Sequence, residues 1–212
     1  VIDTVNDRPP RPRRRSGRRK IEALDAAAIV IADRGADAAR FVDVAAQSGV
    51  PVSSLQYYFG SREDLVIAAF RHASETELRE LTDELATRED PWERIAYVIE
   101  DALRGYRPGD DVAGRLWIEA WRFGLRDDEM RADVNRDYET WHALLEESID
   151  AGVARGRFVT SRCARSIAVV ILALLDGVGL RLVAGDPQLS YDDATATVID
   201  AVRALLEVSA PS

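Results

Sequence analysis

The chain has 212 residues, 47% of them hydrophobic and 31% charged, an ordinary mixture for a soluble globular protein able to bury a core in one or two domains. Its net charge of −9 is unevenly spread: residues 1–60 hold ten Arg or Lys against seven Asp or Glu, and residues 61–212 hold eighteen against thirty. A single cysteine, Cys163, excludes an internal disulfide, and no Cys/His spacing suits a metal, so neither metal nor cofactor is expected.

The first segment is basic. Residues 8–20 carry eight basic groups and no acid, and they lack the apolar stretch of a secretory signal. A basic end on an acidic chain suggests contact with a polyanion. A first helix fits about 19–34, with Ile21, Leu24, Ala28 and Ile31 on one face and Gly35 as its stop. Short helices fit 41–48 and 52–59, divided by "SGVP" at 48–51, and "GS" at 60–61 ends the third. Ser61 and Asp64 resemble a capping box opening a long fourth helix. Further helices fit 62–86, 91–106, 111–125, 128–155, 161–184 and 191–208, with Pro91, Pro108, Gly156 and Pro187 in the breaks. No alternating run of strand type survives five residues, so the expected fold class is all-α. Acidic pairs Asp110/Asp111, Asp127/Asp128 and Asp192/Asp193 stand at helix starts, where carboxylates cap free N–H groups.

Three helices, two of them short and joined by a tight Gly-containing turn, form a helix-turn-helix pattern. At about 100° per residue, Leu55, Tyr58 and Phe59 fall on one side of the third helix, and Val52, Ser53, Gln56 and Tyr57 on the other. The first set suits a core with Leu24, Phe41 and Val44. The second suits a major groove, where Gln pairs with adenine edges and Tyr reaches phosphate or a thymine methyl.

The stretch 21–66, centred on "DVAAQSGVPVSSLQYYFGSREDL", resembles the N-terminal DNA-binding domain of TetR-family transcriptional regulators. The matching features are the apolar first helix ending at Gly35, Asp43-Val44-Ala45, Ser48-Gly49-Val50, Leu55, Tyr58-Phe59 and Ser61-Arg62-Glu63-Asp64-Leu65. Gln56, Arg62 and Val42 depart from the residues common in that family, and Pro51 takes a frequent serine's place. No operator sequence can therefore be borrowed. The resemblance implies double-stranded operator DNA as a partner, met by Arg40, Val52, Ser53, Ser54, Gln56, Tyr57 and Arg62. Arg13, Arg14, Arg15 and Arg18 of the basic arm are expected to add affinity through phosphates or the minor groove.

In that family the C-terminal part forms a homodimer and holds an effector pocket. Here "IAVVILALLDGVGLRLV" at 167–183 is apolar nearly all round, and its longest apolar run, 167–175, is read as too short to span a bilayer. Ile167, Ile171, Leu174, Val178 and Leu182, with Val198, Ala201, Val202 and Leu205 of the last helix, are expected at the interface of a four-helix contact. Leu116, Trp117 and Trp121, with Tyr138, Trp141, His142 and Tyr97, are expected to line a small-molecule site, although aromatic stripes also serve as plain core. Glu119 beside them is expected to be exposed.

No GxSxG, HExxH, Walker or Rossmann pattern is present, so no catalytic residue is assigned. The chain thus divides into a basic arm (1–18) without fixed structure away from DNA, a helix-turn-helix domain (19–61) and a helical ligand-binding and dimerisation domain (62–212). The resulting expectation is a cytoplasmic, ligand-responsive repressor on a palindromic operator, with no membrane partner. A nonspecific DNA-shaping protein and an all-helical enzyme or small-molecule-binding module remain open on the sequence alone.

Overall fold

The computed structural model describes residues 12–208, with side chains from Gly17 onward. Among the described residues there are nine helices and no strand: α1 Pro12–Arg34, α2 Phe41–Ser48, α3 Val52–Phe59, α4 Arg62–Leu85, α5 Pro91–Arg104, α6 Val112–Gly124, α7 Asp128–Ala154, α8 Ala164–Val183 and α9 Tyr191–Leu205. The all-α expectation holds. The first helix begins at Pro12 rather than at 19, because Pro is accepted in a first turn and the Arg and Lys that follow favour helix. Part of the expected arm is therefore helical. The side chains of Arg13, Arg14 and Arg15 lie outside those described.

Side-chain caps set several helix starts. The Ser61 Oγ accepts the Asp64 N–H at 3.0 Å and donates to the Asp64 carboxylate at 2.7 Å. Ser190 and Asp193 repeat the device on α9. Asp90 accepts from the Trp92 N–H at 2.7 Å, and Asp127 from the Met130 N–H at 2.8 Å. Asp111 is an exception to the expected capping: its carboxylate holds Arg115 at 2.7 Å, and no side-chain bond caps α6.

Two apolar cores meet along α4. Leu65, Val66 and Phe70 join Ile31, Val44, Leu55 and Phe59 in one core, which continues into Leu116, Phe123, Met130 and Val134 of α6 and α7. Leu81 and Leu85, three turns on, join Ile95, Ile99, Leu145, Ile171 and Val202 in the other. The N-terminal head is therefore packed onto α6 and α7 as well as joined through α4.

The outer face of α8 differs from the expectation. Ile167 and Ile171 are 0% exposed, and Val198 and Val202 are as deeply buried within a single protomer. They cannot form a contact surface for a second chain. Leu174, Val178, Leu182 and Leu205 are half-buried against the same core. Val169, Val170 and Leu180 stand exposed instead, Leu180 at 54%, with Ala173 and Gly177 beside them and Ala201 exposed on α9. A helix apolar all round carries no phase signal, so the sequence pattern could not say which side faces out. At its full length α8 is also long and apolar enough to cross a membrane, unlike the shorter run read from sequence, but its inner side belongs to the second core.

Candidate functional site

The first candidate site is the outer face of the head. Gly49 closes α2 at φ 71°, a left-handed conformation that favours glycine, so the chain turns sharply into α3. The Ser48 hydroxyl donates to the Val44 carbonyl at 2.7 Å and accepts the Val50 N–H at 3.1 Å, fixing that turn. Leu55 and Phe59 are buried and Tyr58 is half-buried against them. Tyr57 is 86% exposed, with Ser53 and Gln56 exposed beside it and Val52 and Ser54 at the margin. This face carries no carboxylate. Arg40 is exposed at the start of α2, and Arg18 is exposed on α1 with Glu22 at 2.9 Å. Arg62 is partly engaged inside the protein, donating to the Ala36 carbonyl at 2.8 Å and to Glu63 at 2.7 Å.

The second candidate site is a cavity of about 840 Å³ among α4, α5, α6, α7 and α8. Phe70, Tyr97, Tyr106, Trp117, Tyr138 and Trp141 give it aromatic walls. Phe70 stacks on Trp117 at 6.0 Å, and Tyr138 meets Trp117 edge-on at 5.3 Å. The Tyr106 ring fits only because Gly114 and Gly179 flank it: a Cβ at either would come within 2.3 Å or 2.6 Å of ring carbons. Nine carboxylates also line the cavity, against one arginine, Arg104, and a histidine, His72, already held by Asp25 at 2.9 Å.

The carboxylates are the chemistry of this cavity. Asp176 accepts from the Trp117 indole N–H at 3.2 Å and from the Tyr138 hydroxyl, so two aromatic walls aim their polar ends at one acid. Asp137 accepts from the Ser74 hydroxyl. Glu77 makes no hydrogen bond or ion pair among the described residues, and burial, reinforced by Asp101 and Asp137, pushes its carboxyl up to about 7. Burial likewise raises Asp101, Asp137 and Asp176, against the neighbouring donors that favour their charge.

Of the residues expected from sequence, Tyr97, Leu116, Trp117, Tyr138 and Trp141 line the cavity. Trp121 and His142 do not. Trp121 is 43% exposed at the outer edge of the aromatic group, one turn beyond Trp117. His142 is buried, and burial followed by the charge of Arg165 lowers its ring below the usual histidine range. The acids were missed. Glu77 and Glu80 look like ordinary solvated positions on a long charged helix, whereas Asp176 carried a signal as the lone acid inside an apolar run.

A polar clasp joins the two sites. Glu119, on the same helix as Trp117, is mostly buried rather than exposed and accepts the Ala36 N–H at 2.8 Å. Arg122 binds Glu119 at 2.7 Å and Asp37 at 2.7 Å, and Arg126 reaches Asp37 at 3.1 Å. Burial disfavours the Glu119 charge, yet Arg122 and the Ala36 N–H together hold its carboxyl below the usual range. Ala36 is thus gripped at its N–H by Glu119 of α6 and at its carbonyl by Arg62 of α4.

Comparison with known proteins gives this geometry a lineage. Residues 23–69 match the bacterial regulatory proteins of the tetR family, and residues 91–207, more than half of the chain, match the C-terminal domain of BetI-type transcriptional repressors. The chain belongs to the tetR family. It is a ligand-responsive, DNA-binding transcriptional regulator. Among tetR-family relatives, the HTH-type transcriptional regulator BetI of Brucella canis is 24% identical over 182 residues, covering 86% of this chain and 88% of its own. The uncharacterized HTH-type transcriptional regulator YfiR of Bacillus subtilis is 24% identical over 161 residues, or 76% of this chain and 78% of its own. A putative transcriptional regulator from Saccharomonospora viridis, solved in complex with choline, superposes with a TM-score of 0.81 at 25% identity, covering 89% of this chain and 96% of that one.

Proposed function

We propose that this tetR-family regulator is a homodimeric repressor of a two-fold symmetric operator, released by an organic cation held in the α4–α8 cavity. One observation carries the effector class: nine carboxylates and a single arginine line the cavity with its aromatic rings, and Glu77, Asp137 and Asp176 are only part-exposed and have no ion pair among the described residues. Aromatic faces attract cations through their quadrupole, and buried acids without cationic partners gain most from a positive ligand. An anionic effector would meet repulsion throughout. The choline held by the Saccharomonospora viridis regulator supports the same class.

At the other site, Ser53, Gln56 and Tyr57 project from α3 towards base edges and phosphates, with Arg40 and Arg18 flanking them on phosphates. Arg13, Arg14 and Arg15 add charge at the start of α1. The exposed face of α8, built on Val169, Ala173, Gly177 and Leu180, meets its copy across a two-fold axis and sets the distance between two heads. A cation that draws Trp117 and Tyr138 around Asp176 shifts α6, and Glu119 passes that shift to the Ala36 peptide. Such coupling typically amounts to about 5–150-fold in DNA affinity.

The test is recovery of genomic fragments on the full-length protein at about 150 mM salt, followed by elution with choline. A shared palindrome, released by choline and not by acetate, is the expected result. Recovery without a shared sequence would instead mark a nonspecific DNA-shaping protein.

A further inference from the structure

Resting on the cation reading above, we propose that the effector is an elongated polycation, of the linear polyamine class, rather than a single ammonium ion. The cavity's shape and charge both exceed what one ammonium needs. Its volume of about 840 Å³ lies in the upper part of the range for drug-sized ligands. Its acids are strung out rather than gathered at one point. Glu77, Glu80 and Glu84 occupy cavity-facing positions on successive turns of α4, and Asp137 joins the row through Ser74, one turn earlier. At 1.5 Å per residue, the row from Ser74 to Glu84 runs about 15 Å, with one acid every turn, about 5.4 Å. Ammonium groups separated by three or four methylenes repeat at a comparable spacing.

The outer end of the row is already neutralised by the protein itself. Glu84 pairs with Arg88 at 2.9 Å, and Asp101 with Arg104 at 2.7 Å. Arg88 lies over the Tyr97 ring at 3.7 Å, so at this end the wall already binds a cation. The inner acids have no such partner. Asp176 and Asp137 accept only from neutral donors, and Glu77 and Glu80 accept from none among the described residues. Glu77 is half-buried and lines the void. A monocation seated at Asp176 would leave Asp137, Glu77 and, at the rim, Glu80 without a countercharge. A chain of ammonium groups running outward from Asp176 past Asp137 to Glu77 and Glu80 answers them in turn, its methylenes lying on Trp117 and Tyr138.

The test is calorimetric titration of the full-length protein with choline, a four-carbon diamine and the triamine spermidine, at pH 8 and about 150 mM salt to suppress surface association. One triamine is expected per protomer. Affinity is expected to rise about tenfold with each ammonium added, because each new contact is charge-assisted. Glu77→Gln and Glu80→Gln are each expected to weaken the triamine about tenfold while changing choline less than about threefold. Glu93→Gln, exposed on α5 and away from the cavity, is expected to change neither. Glu80 is exposed at its edge, so its variant folds even if the deeper Glu77→Gln does not. Choline binding as tightly as the triamine, or triamine affinity indifferent to both cavity variants, would overturn the polycation and leave the cation reading standing. Failure of all three ligands to bind would remove the cation reading as well.

Discussion

Tyr57 and Tyr58 are neighbours in sequence, yet one helical step puts the first at 86% exposure and tucks the second against Phe59. Their consequences on substitution should differ accordingly. Tyr57→Ala and Gln56→Ala are expected to lower operator affinity at least tenfold while moving stability by less than about 0.5 kcal/mol, as surface changes usually do. Phe59→Ala removes a buried ring and should cost about 3–5 kcal/mol. Melting curves beside a DNA-binding assay distinguish the two kinds of residue, and equal losses of stability would contradict the division. Glu77 makes a different prediction. Its carboxyl is raised from an ordinary value of 4.5 to about 7, so between those pH values the folded chain keeps a proton that the unfolded chain releases. Stability therefore falls as pH rises through that window. Glu77→Gln should melt higher than the parent at pH 8, on the order of 5 °C, with the difference gone near pH 4.5. A difference independent of pH would contradict a strained, unpaired carboxylate.

At the scale of elements, α6 and α8 carry the arguments. The Glu119 grip on Ala36 ties the cavity wall to the head. Glu119→Gln keeps the shape but loses the charge that holds Arg122, and Arg122 in turn holds Asp37. It is expected to leave cation affinity within about threefold while cutting the effect of the cation on DNA binding by at least half, since coupling and binding are separate free energies. On α8, Leu180→Glu should yield a folded monomer by sedimentation, whereas Ile171→Glu should not fold, because it buries an unpaired charge. These elements also show what a sequence can and cannot tell. The reading face of α3 was legible because polar and apolar residues alternate at helical phase over eight positions. The outward face of α8 was illegible, since Val169 and Ile171 are chemically alike and only packing separates them. The cavity acids were hidden for the opposite reason: Glu77 resembles the many solvated acids of α4 until α5 and α7 bring Asp101 and Asp137 near it. Glu119 was misplaced because its partner, the Ala36 N–H, is 83 residues away.

For the whole molecule, two cores share α4, and the first runs on into α6 and α7. The head is therefore not a free bead on a linker. The cavity walls connect to it through packed side chains and through the N–H and the carbonyl of one residue, Ala36. The charge plan fits the same division of labour, with the basic excess at the DNA-facing end and the acidic excess around the cavity. An acidic cavity also implies linkage to protons: cation affinity should weaken as pH falls below about 7, where Glu77 takes up its proton.

A cation in this cavity is expected to loosen the grip on DNA. The most direct measurement is fluorescence anisotropy of a labelled operator, recovered as above, with and without spermidine, for the parent and for Glu77→Gln. Because polyamines also bind DNA, the variant supplies the internal control. Operator binding is expected to be about 5–150-fold weaker for the parent at a spermidine concentration that just saturates it, and clearly less weakened for Glu77→Gln at the same concentration. Equal weakening of both proteins, or none in either, would contradict it.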